Sequence, residues 1–133
     1  MAGSDVRAIT FLNSLSASNT SVAAAATTSG TASLTLTTAA GTGAFHATNQ
    51  AAKVTLTSTG NLSGITVTIT GTDIAGNAQT EDIAGPNNTT VTSTKFYDTV
   101  TSVAGDGSIG TNMSVGVAAG TTGGQAKIFG GRT

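Results

Sequence analysis

From Lys53 onward the chain alternates apolar side chains with threonine. The runs KVTLTSTG (residues 53–60) and GITVTITG (64–71) place Val54 and Leu56, then Ile65, Val67 and Ile69, on single faces, because successive residues of an extended strand point to opposite sides. A period of two predicts half-buried strands and argues against amphipathic helices, whose apolar positions recur every three or four residues. The segments STGNLSG (58–64) and GTDIAGNAQ (71–79) hold Gly, Asn and Asp, which tolerate positive φ or form Asx turns. Each run is therefore expected to return on itself, giving an antiparallel meander.

The pattern continues along the chain. TEDIAGPNN (80–88) reads as a short strand stopping at Pro86, TTVTSTKFYDTVTSVAG (89–105) has the length of one long strand or two, and MSVGVA (113–118) is the last clear strand. ASLTLTTAA (32–40) alternates around Leu34 and Leu36, whereas SVAAAATTSG (21–30) has helix-favouring alanines without a polar stripe and reads as strand or arm. The expectation is an all-β fold, an antiparallel β-sandwich or β-barrel of jelly-roll or immunoglobulin-like type with extended N- and C-terminal arms. Residues 1–32 are the N-terminal arm or first strands, 33–119 the β-domain and 120–133 the C-terminal arm.

A chain of 133 residues fits one domain with one core. With four Phe, one Tyr and no Trp, that core must come from Val, Ile and Leu. Charged residues make up 8% of the chain, against about 25% in an ordinary soluble domain. A surface of Thr, Ser, Asn and Gly lacks the mixed-sign charge that keeps small domains apart, so much of it is expected to lie against other subunits or other proteins. The five basic residues stand singly and the net charge is −1, which argues against nucleic-acid and membrane partners. Cysteine is absent, which leaves no disulfide framework and no thiolate metal site. The start MAGSDVRAITFLNS lacks a basic region followed by an apolar run, so folding in the cytoplasm is expected and the sequons at Asn87, Asn88 and Asn112 read as turn residues.

Each chemical motif meets a simpler explanation. Gly105, Gly107 and Gly110 have the GxGxxG spacing of a dinucleotide site, but that fingerprint needs a helix after the third glycine, and NMSVGV is a strand. GTTGGQAK has Gln125 where a P-loop needs glycine. The single histidine, His46, has no Ser in a GxSxG elbow to activate, so no catalytic residue, cofactor or enzyme activity is assigned. Asp73, Asn77, Glu81 and Asp82 gather oxygen ligands of the kind calcium takes, but without EF-hand spacing, and the simpler reading is an Asx-stabilised hairpin tip. Glu81 and Asp82, being consecutive in a strand, point apart and would not flank one bond. Ala104 to Gly110, AGDGSIG, is expected to be a hairpin loop.

Four residues are candidates for an interface: Phe96, Tyr97, Ile128 and Phe129. Phe96 and Tyr97 point to opposite faces, with Phe96 expected in the core and Tyr97 outside against a neighbouring strand or subunit. Ile128 and Phe129 stand among glycines in GTTGGQAKIFGGRT, where a partner surface would relieve about 1.5 to 3 kcal/mol of exposure each.

The run ITVTITGTDIAGNAQTEDIAGPNNTTVTSTKFYDTVTSVAGDGSIGTNMSVGV (65–117) resembles a module of small structural proteins of tailed bacteriophages. The resemblance rests on the Thr-alternating strand, the GTDxxGN turn, the acidic short strand ending in Gly-Pro, the TKFYDTVTSV strand and the terminal SVGV. It implies a capsid decoration or cement protein on the virion surface, bound to the major capsid protein and to itself as a homo-oligomer, most simply a trimer. The alternative is an adhesive module of a tail or fibre that binds a host-surface glycan through the GTDIAGN and AGDGSIG loops.

Overall fold

The computed structural model describes residues 17–36, 50–119 and 124–126, which form eight strands and no helix. In chain order these are β1 (Ser18–Ala26), β2 (Gln50–Asn61), β3 (Thr66–Thr72), β4 (Ala78–Ala84), β5 (Asn87–Tyr97), β6 (Thr99–Gly105), β7 (Met113–Val117) and β8 (Gly124–Ala126). Two antiparallel sheets pack together. One has the order β1-β7-β2-β5 with β8 beside β2, and the other the order β4-β3-β6. The all-β expectation holds as a sandwich and not as a closed barrel.

The alternating residues supply the core as their period requires. Val54 and Leu56 of β2, Met113, Val115 and Val117 of β7 and Val22 of β1 face Val67 and Ile69 of β3 and Val100 and Val103 of β6. Each such side chain contributes on the order of 1.5–3 kcal/mol when fully buried. β2 is the central strand of the larger sheet. It pairs with β5 on one side and on the other with β7 and then β8, since Val117 lies opposite Val54 and Gly124 opposite Ala52.

The meander is corrected by the sheet order. Among the described strands only β3 and β4 form a hairpin between adjacent strands of one sheet, whereas β2 to β3, β4 to β5, β5 to β6 and β6 to β7 each pass from one sheet to the other. The physical reason lies inside the glycine-rich loops. Leu62, within STGNLSG, is buried, and its N–H donates to the Pro86 carbonyl at 2.9 Å. Ile109, within AGDGSIG, is fully buried, and its carbonyl accepts from Thr28 N–H at 3.1 Å. An apolar anchor in the middle of a loop makes it an arch over the end of the sandwich. AGDGSIG is therefore an arch and not a hairpin loop, with Asp106 N–H donating to the Thr66 carbonyl and Asp106 Oδ1 accepting from Thr66 N–H, both at 2.9 Å.

The 89–105 segment divides into two strands at Asp98, whose N–H donates to the Thr72 carbonyl at 2.8 Å as the chain changes sheets. The alanine run is a strand, β1, at the edge of the larger sheet, where the six residues from Ser18 to Ala23 oppose only the three from Val117 to Val115. The excess backbone lies over Gly116, where a Cβ would overlap the Ser18 carbonyl, so glycine is required there. After β1 the chain crosses to the smaller sheet and bridges β6 at Ser33 and Ala104. His46, Ile128, Phe129 and most of residues 120–133 lie outside the described residues; of that C-terminal segment, β8 pairs with Gln50–Ala52.

Candidate interaction surface

The hairpin tip between β3 and β4 is closed by its own aspartate. Asp73 Oδ1 accepts from the N–H groups of Ala75 and Asn77, each at 2.9 Å, and Asn77 Nδ2 donates to Oδ2 at 3.3 Å. Gly76 takes φ +90° to complete the turn. The Asn77 N–H is the main cause holding the Asp73 carboxyl below the usual range, against a smaller opposing effect of burial. These oxygens face the turn, while Glu81 and Asp82 lie along β4 away from it. Among the described residues, no group of three or more His, Cys, Asp or Glu converges as a metal site.

Glu81 and Asp82 point apart, as consecutive strand residues must, and the two sides differ. Asp82 lies on the outer face of its sheet and accepts from the Thr68 hydroxyl at 2.7 Å. Glu81 sits opposite the core residue Ile69 and reaches across to the other sheet. Its Oε2 accepts from the Thr94 N–H and hydroxyl, both at 2.8 Å, and its Oε1 from the Lys95 N–H at 3.0 Å. Gln79, two residues earlier, donates to the Phe96 carbonyl at 2.5 Å, and Lys95 Nζ donates back to the Thr80 carbonyl at 2.6 Å.

The donors are available to Glu81 because β5 bulges there. Between the pairs Lys53–Phe96 and Thr55–Thr92 one residue of β2 faces three of β5. Val54 N–H, left without a ladder partner, donates to Ser93 Oγ at 2.9 Å, and that hydroxyl donates to the Lys95 carbonyl at 2.8 Å. Burial pushes the Glu81 carboxyl up, but the Thr94 and Lys95 amides, the Thr94 hydroxyl and the Lys95 charge together hold it below the usual range.

The bulge also decides the aromatic pair, and it reverses the expectation. Tyr97 is fully buried in the core, its hydroxyl donating to the Ile69 carbonyl across the sandwich at 3.4 Å. Burial, and then the charges of Glu81 and Asp82, raise the phenol far above its ordinary value. Phe96 is half-buried on the outer face of the larger sheet, with Lys53 Nζ 5.3 Å from its ring centre. Tyr97 is thus a core residue and not an interface residue, and Phe96 takes the outer position. No family model, curated protein or solved structure matches this chain.

Behind Phe96 the outer face of the larger sheet is floored by small residues. Thr55 and Ser114, which alternate with core positions, are 6% and 7% exposed, and Ala51 is fully buried. The Thr55 hydroxyl has no hydrogen-bond partner among the described residues. Along β5, by contrast, Thr89, Thr90, Thr92 and Thr94 are exposed, and the Thr90 and Thr57 hydroxyls share a 2.8 Å hydrogen bond. The Glu81 bridge and this threonine strip escaped the motif reading because neither matches a catalytic or metal spacing. The visible signal for the bridge was Gln79 and Glu81 at the same parity as Ile83, two polar groups on an inward-facing row.

Proposed function

We propose that the chain is a structural protein of a phage virion, a decoration or cement protein that stabilises the capsid by binding the major capsid protein and copies of itself, most simply as a trimer on the capsid surface. The observation that carries this reading is the exposed, uncharged threonine strip of β5 on a chain with only 8% charged residues. Such a surface suits packing against protein, with hydroxyl groups to satisfy a partner's backbone, and offers nothing to phosphate. The bridges between the sheets support the same role, because a protein that braces a shell under internal pressure needs sheets that resist sliding apart. The resemblance of residues 65–117 to phage structural modules agrees with it.

The glycan-binding alternative keeps its loops but loses Tyr97 as a stacking surface, since that ring is in the core. The test is the copy number of the chain in purified particles, together with particle survival on heating with and without it. Stoichiometric abundance relative to the capsid protein and earlier rupture after stripping are expected. Absence from particles, or unchanged rupture, would overturn the reading.

A further inference from the structure

Among the described residues the two sheet orders, β1-β7-β2-β5 with the three-residue β8 beside β2 and β4-β3-β6, end in four edge strands, and three of these are guarded. β1 is broken by two register shifts within nine residues, which spoils it as a template. β6 is covered by the strand-crossing segment: Leu34 N–H donates to the Val103 carbonyl at 2.9 Å and Val103 N–H to Ser33 Oγ at 3.2 Å. β4 carries Asp82 on its exposed side and Glu81 turned inward, so a second β4 laid against it would bring carboxylates together.

The fourth edge, β5, is guarded in one half only. Its C-terminal half is occupied from across the gap, with Glu81 holding the Thr94 and Lys95 amides and Gln79 holding the Phe96 carbonyl. Its N-terminal end is kinked at Asn88, which has φ +52°. Between the two lie residues 89–92, in unbroken register with β2 from Ser58–Thr89 to Thr55–Thr92. On their outer side no strand is paired among the described residues. This stretch, TTVT, is wholly β-branched, with no charge and no proline, and those are the devices that ordinarily close an edge.

We propose that residues 89–92 pair antiparallel with the same residues of a second copy about a twofold axis, joining two five-stranded sheets into one. Self-pairing is singled out by charge. With Thr90 on the axis Thr89 meets Val91 and Thr92 meets Asn88, with Val91 on the axis Thr90 meets Thr92 and Thr89 meets Ser93, and in both registers Lys95 of one copy falls opposite an uncharged residue of the other, Gly85 or Asn87, not opposite Lys95. Side chains then match in facing, with Thr90 beside Thr90 or Thr92 and the two outer faces continuous. The contact is short, and therefore weak in dilute solution and effective where copies are held close together. It leaves other surfaces free for a threefold assembly and does not depend on the virion reading.

The absence of cysteine makes the test direct. The full-length protein is prepared as Thr90→Cys, Thr92→Cys and, as a control on the exposed face of β6, Thr101→Cys, and disulfide-linked dimer is followed during mild oxidation. Thr90→Cys alone, or mixed with Thr92→Cys if Val91 lies on the axis, is expected to couple roughly tenfold faster than the control. Adding Thr92→Lys to Thr90→Cys places a cation in the window and is expected to return coupling to the control rate, with the circular-dichroism spectrum unchanged. Coupling no faster than Thr101→Cys in both pairings, or coupling indifferent to Thr92→Lys in a folded protein, would overturn the proposal.

Discussion

Glu81 takes three hydrogen bonds because the β5 bulge turns two consecutive amides out of the ladder toward it. Charge-assisted bonds of this kind are stronger than neutral ones, and the alternative is amides at a sheet rim with poorer partners. Glu81→Ala is expected to lower unfolding free energy by about 1–3 kcal/mol, read as a shift of the denaturant midpoint at unchanged slope. The pH dependence has a definite sign. The folded carboxyl lies below its ordinary value of 4.5, so its contribution is complete above that value and fades as pH falls through the lowered one. Glu81→Gln, which cannot titrate, is expected to narrow its stability gap from the parent protein as acid is added. A gap that stays constant from neutral pH down to strong acid would show that the charge is not what holds the bridge.

At the scale of elements, strands were legible and their partners were not. Alternation names the inward residues of β2, β3 and β7 directly, since Val54, Leu56, Val67, Ile69, Val115 and Val117 are all buried. It cannot say which strand completes each face, because every half-buried strand offers the same signal. The clue was one apolar residue in each polar loop, Leu62 and Ile109, and turn composition outweighed it. The aromatic pair shows a second limit. Counting in twos from Val91 reaches Tyr97, but the same count passes through Lys95, which no core would admit. The bulge at residues 93–95 resolves the conflict by lifting Lys95 to the rim and restoring the inward row at Tyr97. Apolarity alone favoured Phe96, whereas a tyrosine suits this place because its hydroxyl reaches the Ile69 carbonyl. Ile109→Ala separates arch from hairpin. It is expected to cost about 2–5 kcal/mol, as for other buried large-to-small changes, whereas a solvent-exposed hairpin tip would lose almost nothing.

Over the whole molecule the connections are long-range. β2 finds its neighbours in β5, β7 and β8, and β1 finds its own in β7, so the larger sheet is assembled from both ends of the described chain. Loop closure on this scale must precede the contacts that reward it, and refolding in milliseconds to seconds is expected, of the order seen for all-β sandwiches. A chain ending at residue 112 lacks β7 and is expected to give a disordered far-ultraviolet spectrum; a native-like spectrum would show that β2 and β5 suffice without it. The same sheet order governs synthesis. On a ribosome β2 emerges long before β7, and β1 earlier still, so the larger sheet cannot close until residue 117 has cleared the exit tunnel. Its β1 and β2 stay available to chaperones until β7 has emerged, and a truncation before residue 113 removes the strand that joins the first two to each other.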